Sequence, residues 1–134
     1  MSIEESRTLR KRAGVFLRHS QEALQREEYD FACFSAEQAA QLYVKAAALE
    51  LLGEIPRVHR TRELLSILAD AIPAAKDEIK LFIKENRGGL RLLEEAYIAS
   101  RYLPSTYDRE EAKVAVGLAR RMVNLCRRVT KGSR

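Results

Sequence analysis

The segment "AYIASRYLPSTYDREEA", residues 96–112, holds the side chains best suited to chemistry. Arg101 stands where a helical pattern stops before Pro104, and Tyr107 follows six residues later. An arginine can stabilise the charge that builds on a phosphate under attack, but it cannot shuttle a proton at neutral pH. Cleaving RNA through its 2′-hydroxyl also needs a proton carrier, and imidazole titrates in the right range. The residues that follow Pro104 include Thr106, Tyr107 and Asp108, and none is histidine. A phenol, with an ordinary value near 10, is a poor base. Loss of a general acid–base group costs about 10²–10⁴ in rate. Tyr97, Tyr102 and Tyr107 gather around Arg101. They suit either packing or a nucleotide-stacking pocket, and Arg101 also suits the C-terminal end of a helix dipole.

Other polar clusters are fewer. His59 precedes a helix start in "PRVHRTRELL", among Arg57, Arg60 and Arg62. That arrangement fits a loop-packing histidine or a phosphate contact at a helix N-terminus. Gln38, Gln41 and Lys45 lie within an apolar helix, where amides must find hydrogen bonds. They read as a polar tether, or as a partner contact through Gln38 or Lys45. From Arg120 to Arg134 there are six basic residues and no acid, so the rest of the chain sums to −1 against a net +5. This tail either attracts phosphate or complements a helix C-terminus.

The elements that must position these groups are helical. Apolar residues are 46% and charged residues 32% of 134 residues, with only 6 Gly and 3 Pro, which indicates one globular, helix-rich domain. The apolar period of about 3.6 predicts helices near 4–27, 31–52, 61–71, 74–85, 89–102 and 109–129. Asp30 and Asp108 are the expected N-caps, Gly53 and Pro56 close the second helix, and "NRGG" breaks the chain before the fifth. Phe31, Ser35, Gln38, Leu42, Lys45/Ala46 and Leu49 are expected on one face. Ala112, Ala115, Ala119, Met122, Cys126 and Val129 form another, whose alanines allow close approach. The expected fold is all-α: an antiparallel up-and-down bundle of four long helices plus short helical segments.

The exclusions are equally informative. No 18-residue apolar run spans a membrane, and "MSIEESRTLRKR" is not a secretory signal. Cys33 and Cys126 have no neighbouring ligands and read as small buried hydrophobes of a cytoplasmic protein. Glycine-rich phosphate loops, His–Glu metal spacings and Cys-x-x-Cys are absent, so no metal or cofactor is expected.

A tyrosine–aspartate entry, then "FACFSAEQAAQLYVKA", "PRVHRTRELL" and "AYIASRYLPSTYDREEA", in this order over roughly residues 10–129, resembles the HEPN family of small helical proteins. The resemblance implies a homodimeric bundle, commonly encoded beside a minimal nucleotidyltransferase in toxin–antitoxin or related two-component systems. Some members are metal-independent ribonucleases with an arginine followed by four to six residues and then a histidine. Arg101 matches that arginine and no histidine follows it. The expectation is a binding module, with Arg101, Tyr102, His59, Arg60 and Lys45 as candidate contacts to nucleotide or RNA phosphate. The alternative is a divergent ribonuclease using Arg101 with Tyr107 or an imported His59.

Overall fold

The computed structural model describes the backbone of residues 2–102 and 106–132, and the side chains of residues 3–99 and 106–131. Six α-helices follow in order: α1 (Ser2–Gln25), α2 (Tyr29–Leu52), α3 (Thr61–Ala71), α4 (Lys76–Glu85), α5 (Arg87–Tyr102) and α6 (Arg109–Gly132). A 3-10 turn, Pro73–Ala75, leads into α4. Proline at its first position needs no donor there, as the sequence predicts.

Helix α2 is the axis of the bundle. Fourteen of its residues are buried, six of them in the run Ala32, Cys33, Ser35, Ala36, Ala39 and Ala40, and α1, α3, α5 and α6 all pack on it. A helix apolar on every side belongs inside. Small side chains let four neighbours approach at once. Helix α6 presents Ala112, Ala115, Ala119, Met122, Cys126 and Val129, all buried, as the spacing predicts.

Cross-contacts give the directions. Arg10 of α1 pairs with Glu50 of α2 across their antiparallel crossing. Arg121 donates to Asn86 at 2.9 Å, which sets the middle of α6 against the start of α5. Asp30 meets Tyr107 and Tyr43 meets Arg127, so α2 and α6 run parallel. The four long helices thus go up and down in turn.

Several local expectations hold. Gly53 ends α2 in the left-handed region, φ 81°, with its N–H on the Leu49 carbonyl. Only glycine adopts that conformation without steric cost. Asp108 caps α6 in a reciprocal box: its carboxylate accepts the Glu111 N–H at 2.8 Å, and Glu111 accepts the Asp108 N–H at 3.0 Å.

Three expectations are corrected. Asp30 does not cap α2: the helix starts at Tyr29 without a side-chain cap, and the Asp30 carboxylate accepts the Tyr107 N–H at 2.6 Å. Phe31 does not share the burial of Ser35, expected on the same face, but is 49% exposed, its ring 6.3 Å from Phe34. Two helices converge at that end, and the tertiary hydrogen bond decides where each side chain goes. The "NRGG" break shrinks to Asn86, with Gly88 and Gly89 in the first turn of α5. The Asn86 side chain donates to the Phe82 carbonyl and its backbone carbonyl accepts the Leu90 N–H, so the chain passes from α4 to α5 almost without a loop.

The α1–α2 turn carries a measurable strain. Glu27 has φ 61°, and the N–H groups of Glu27 and Glu28 reach back to Leu24 and Ala23. This is the helix-ending motif that favours glycine at the left-handed position. Glu27→Gly raises the unfolding free energy by about 0.5–1 kcal/mol, read as a higher urea midpoint at unchanged slope.

Candidate functional site

The loop between α2 and α3 has no apolar periodicity, so nothing in the sequence says where it lies. In the structure it folds against α5. The His59 ring stacks on Tyr97, centroids 5.1 Å apart and planes 20° from parallel. Beside the stacked pair opens a cavity of about 750 Å³. The loop contributes Val58, His59 and Arg60, α3 contributes Arg62 and Glu63, and α5 contributes Arg91, Glu94, Glu95, Tyr97 and Ile98.

One ion pair fixes the wall. Arg62 grips Glu94 with both Nε and a terminal nitrogen, at 2.8 and 2.7 Å, and its backbone N–H adds a third contact at 3.2 Å. Thr61, fully buried at the start of α3, also reaches the Leu90 carbonyl. These bonds pin α3 to α5 and so hold the cavity open. Burial pushes the Glu94 carboxyl up, but the hydrogen bonds and charge of Arg62, with Arg60 behind it, outweigh burial and hold it below its usual value. The sign follows: a depressed carboxyl stabilises the fold above its unfolded value and loses that contribution as pH falls through the folded one. Glu94→Gln therefore costs about 1–2 kcal/mol at pH 7, and the difference from wild type narrows below the ordinary carboxylate value near 4.5. Urea melts at several pH values check this.

Tyr107 sits at another place in the bundle. It is half-buried against the core, its N–H held by Asp30. Burial first, then Cys33, Glu95, Glu111 and Asp30, push its phenol up to about 12. At neutral pH the phenolate fraction is roughly one in 10⁵. The Tyr107 phenol therefore cannot take a proton from a 2′-hydroxyl.

Of the sequence candidates, His59 and Arg60 meet at the cavity. Lys45 does not line it. Lys45 lies on α2 at the end of a ladder in which its ammonium donates to Gln41 at 2.9 Å and Gln41 donates to Glu37 at 2.6 Å. Gln38 donates to the other Glu37 oxygen at 2.6 Å. Glu37 itself is fully buried and escaped the sequence reading. Its spacing from Gln41 and Lys45, four and eight residues, was the available signal. Arg101 and Tyr102 belong to α5, but their side chains lie outside the described residues. Arg101 follows Tyr97 by one helical turn.

The basic C-terminal stretch is largely engaged within the fold. Arg120 reaches the Gln21 side chain, Arg121 reaches Asn86, and Arg128 donates to Glu78 at 3.0 Å. Arg127 donates to the Tyr43 hydroxyl and lies 5.7 Å from that ring. Both thiols are buried, and burial drives Cys33 and Cys126 up to about 12, so neither is a nucleophile. Among the described residues, no group of three or more His, Cys, Asp or Glu could hold a metal ion. No helix among them is long and apolar enough to cross a membrane.

The bundle and the order of its motifs match the HEPN domain over residues 6–129. The chain belongs to the HEPN domain family. The protein TT1696 from Thermus thermophilus, known as a crystal structure, is similar in fold: TM-score 0.73, 27% identity, covering 92% of this chain and 96% of that one. No curated protein matches. In this HEPN chain residues 106–108 are Thr, Tyr and Asp.

Proposed function

We propose that this HEPN chain, a single domain over residues 1–134, is a homodimeric binding module. It holds a nucleotide or the phosphates of RNA without cutting the strand, and it works beside a separately encoded nucleotidyltransferase. The contacts are His59 and Arg60 at the cavity and Arg101 and Tyr102 at the end of α5, with Lys45 on α2 further away. The observation that carries the reading is Tyr107: the residue where a proton carrier is needed is a phenol pushed up to about 12. Family membership supports the dimer, since HEPN proteins commonly form dimers, and the partner is what the resemblance to two-component members implies.

Calorimetric titration with ATP and with a short RNA, repeated with Arg101→Ala, tests the binding. Heat for at least one ligand is expected, reduced by the substitution. No heat for any ligand removes the reading. Light scattering at micromolar concentration tests the dimer.

A second reading has one observation in its favour. His59 stacks on Tyr97, one helical turn before Arg101 on the same helix. An imidazole there could replace the missing histidine, which would make the chain a divergent metal-independent ribonuclease. That reading requires His59→Ala to abolish cleavage.

A further inference from the structure

The charges around the cavity decide which part of a nucleotide it can recognise. Three arginines line it, Arg60, Arg62 and Arg91, and three carboxylates, Glu63, Glu94 and Glu95. Formally they cancel. Arg62 is further committed to Glu94 through two short side-chain bonds. Arg60 and Arg91 are exposed, but so are Glu63 and Glu95 on the same rim. A polyphosphate drawn toward the two arginines is repelled by the two acids, and at an exposed rim each such term is small. Among the described lining residues the charges therefore supply no net long-range pull on a polyanion.

The apolar surface is a different matter. Val58, Tyr97 and Ile98 line the cavity together with the His59 ring, and Ile98 is 53% exposed there. A flat aromatic ring covers such a wall, and stacking on an aromatic pair is worth far more than a screened ion pair. Glu63 and Glu95 add acceptors to the lining, which suit the exocyclic amine of adenine, cytosine or guanine.

The geometry points to a base-reading subsite: the cavity takes the ring of an amino-bearing nucleobase against His59, Tyr97, Val58 and Ile98, and the phosphates contribute little. This rests on the reading that the chain binds a nucleotide and names the part it recognises.

The test uses the full chain with adenosine, ATP and inorganic tripolyphosphate as probes. Adenosine and ATP bind within about tenfold of each other, and tripolyphosphate fails to compete. Raising salt from about 50 to about 200 mM weakens ATP binding by no more than about threefold, the loss expected for one phosphate contact. Tyr97→Ala lowers affinity by about 10–100-fold. Tyr97→Phe, which keeps the ring, retains it and controls for folding. The chain has only two histidines, so the ring protons of His59 move upfield on binding while those of His19 stay. If ATP binds but tripolyphosphate competes equally, salt weakens binding by tens of fold, or Tyr97→Ala has no effect, the base-reading subsite is wrong while nucleotide binding stands. If wild-type protein binds neither adenosine, ATP nor RNA, both readings fall.

Discussion

Leu118→Ala lowers the unfolding free energy by about 3 kcal/mol, and adding Gly89→Ala restores part of the loss. Leu118 is fully buried on α6, where that helix crosses α5. A Cβ on Gly89 would lie 2.8 Å from Leu118 Cδ2. The leucine methyl therefore occupies the space that any side chain at residue 89 would need. Truncating a buried leucine typically costs about 2–5 kcal/mol, because transfer energy is lost and a cavity remains. In the wild-type background Gly89→Ala gains up to about 1 kcal/mol of helix propensity, and overpacking costs about 1–3 kcal/mol. The balance is destabilising. In the Leu118→Ala background the clash is gone and the new methyl fills the void, so the same substitution stabilises. That reversal of sign, measured by a double-mutant cycle in urea, is the signature of direct contact. Equal effects of Gly89→Ala in both backgrounds would show that the crossing is not as close as described.

The second large effect is at Glu37. Glu37→Ala costs about 3 kcal/mol and Glu37→Gln costs less. The carboxylate is fully buried, and its two oxygens accept from Gln38 and Gln41 at 2.6 Å each. Removing it strands amide donors inside the bundle, and each stranded group costs about 1–3 kcal/mol. Glutamine keeps the volume and one acceptor. At the far end of the ladder, burial lowers the Lys45 ammonium and Glu37 raises it. A lysine lowered on folding destabilises the fold while it is protonated, and that penalty is relieved as pH rises toward the ordinary value of 10.5. Without Glu37 the penalty is larger. The deficit of Glu37→Ala therefore narrows as pH is raised from neutral into the alkaline range, as chemical denaturation at a series of pH values would show.

The helices were legible because their stripes are local. Ala112 to Val129 repeat every three or four residues, and Gly53 and Asp108 sit where helix ends require a left-handed residue and a capping oxygen. The failures share a cause. Asp30 is a good local cap, but Tyr107, 77 residues away in sequence, claims its carboxylate. The basic run of α6 reads in one dimension as a phosphate-attracting tail or a complement to the helix dipole, and the partners of Arg120, Arg121, Arg127 and Arg128 on α1, α2 and α4 and at Asn86 are not visible there. The site was only half visible for the same reason. His59 and Arg60 stood out by residue type. Tyr97, Ile98 and Arg91 join them only because an aperiodic loop folds onto α5. Glu37 hid because a single acid within an apolar helix breaks no period.

The most direct test is a time course of the wild-type chain with single-stranded RNA in EDTA, run beside Arg101→Ala and His59→Ala. With Tyr107 locked as a neutral phenol, the RNA remains intact over hours in all three. Products from wild type that vanish with His59→Ala as well as with Arg101→Ala would show that imidazole from the α2–α3 loop supplies the proton transfer, and that the chain cuts what it was held only to bind.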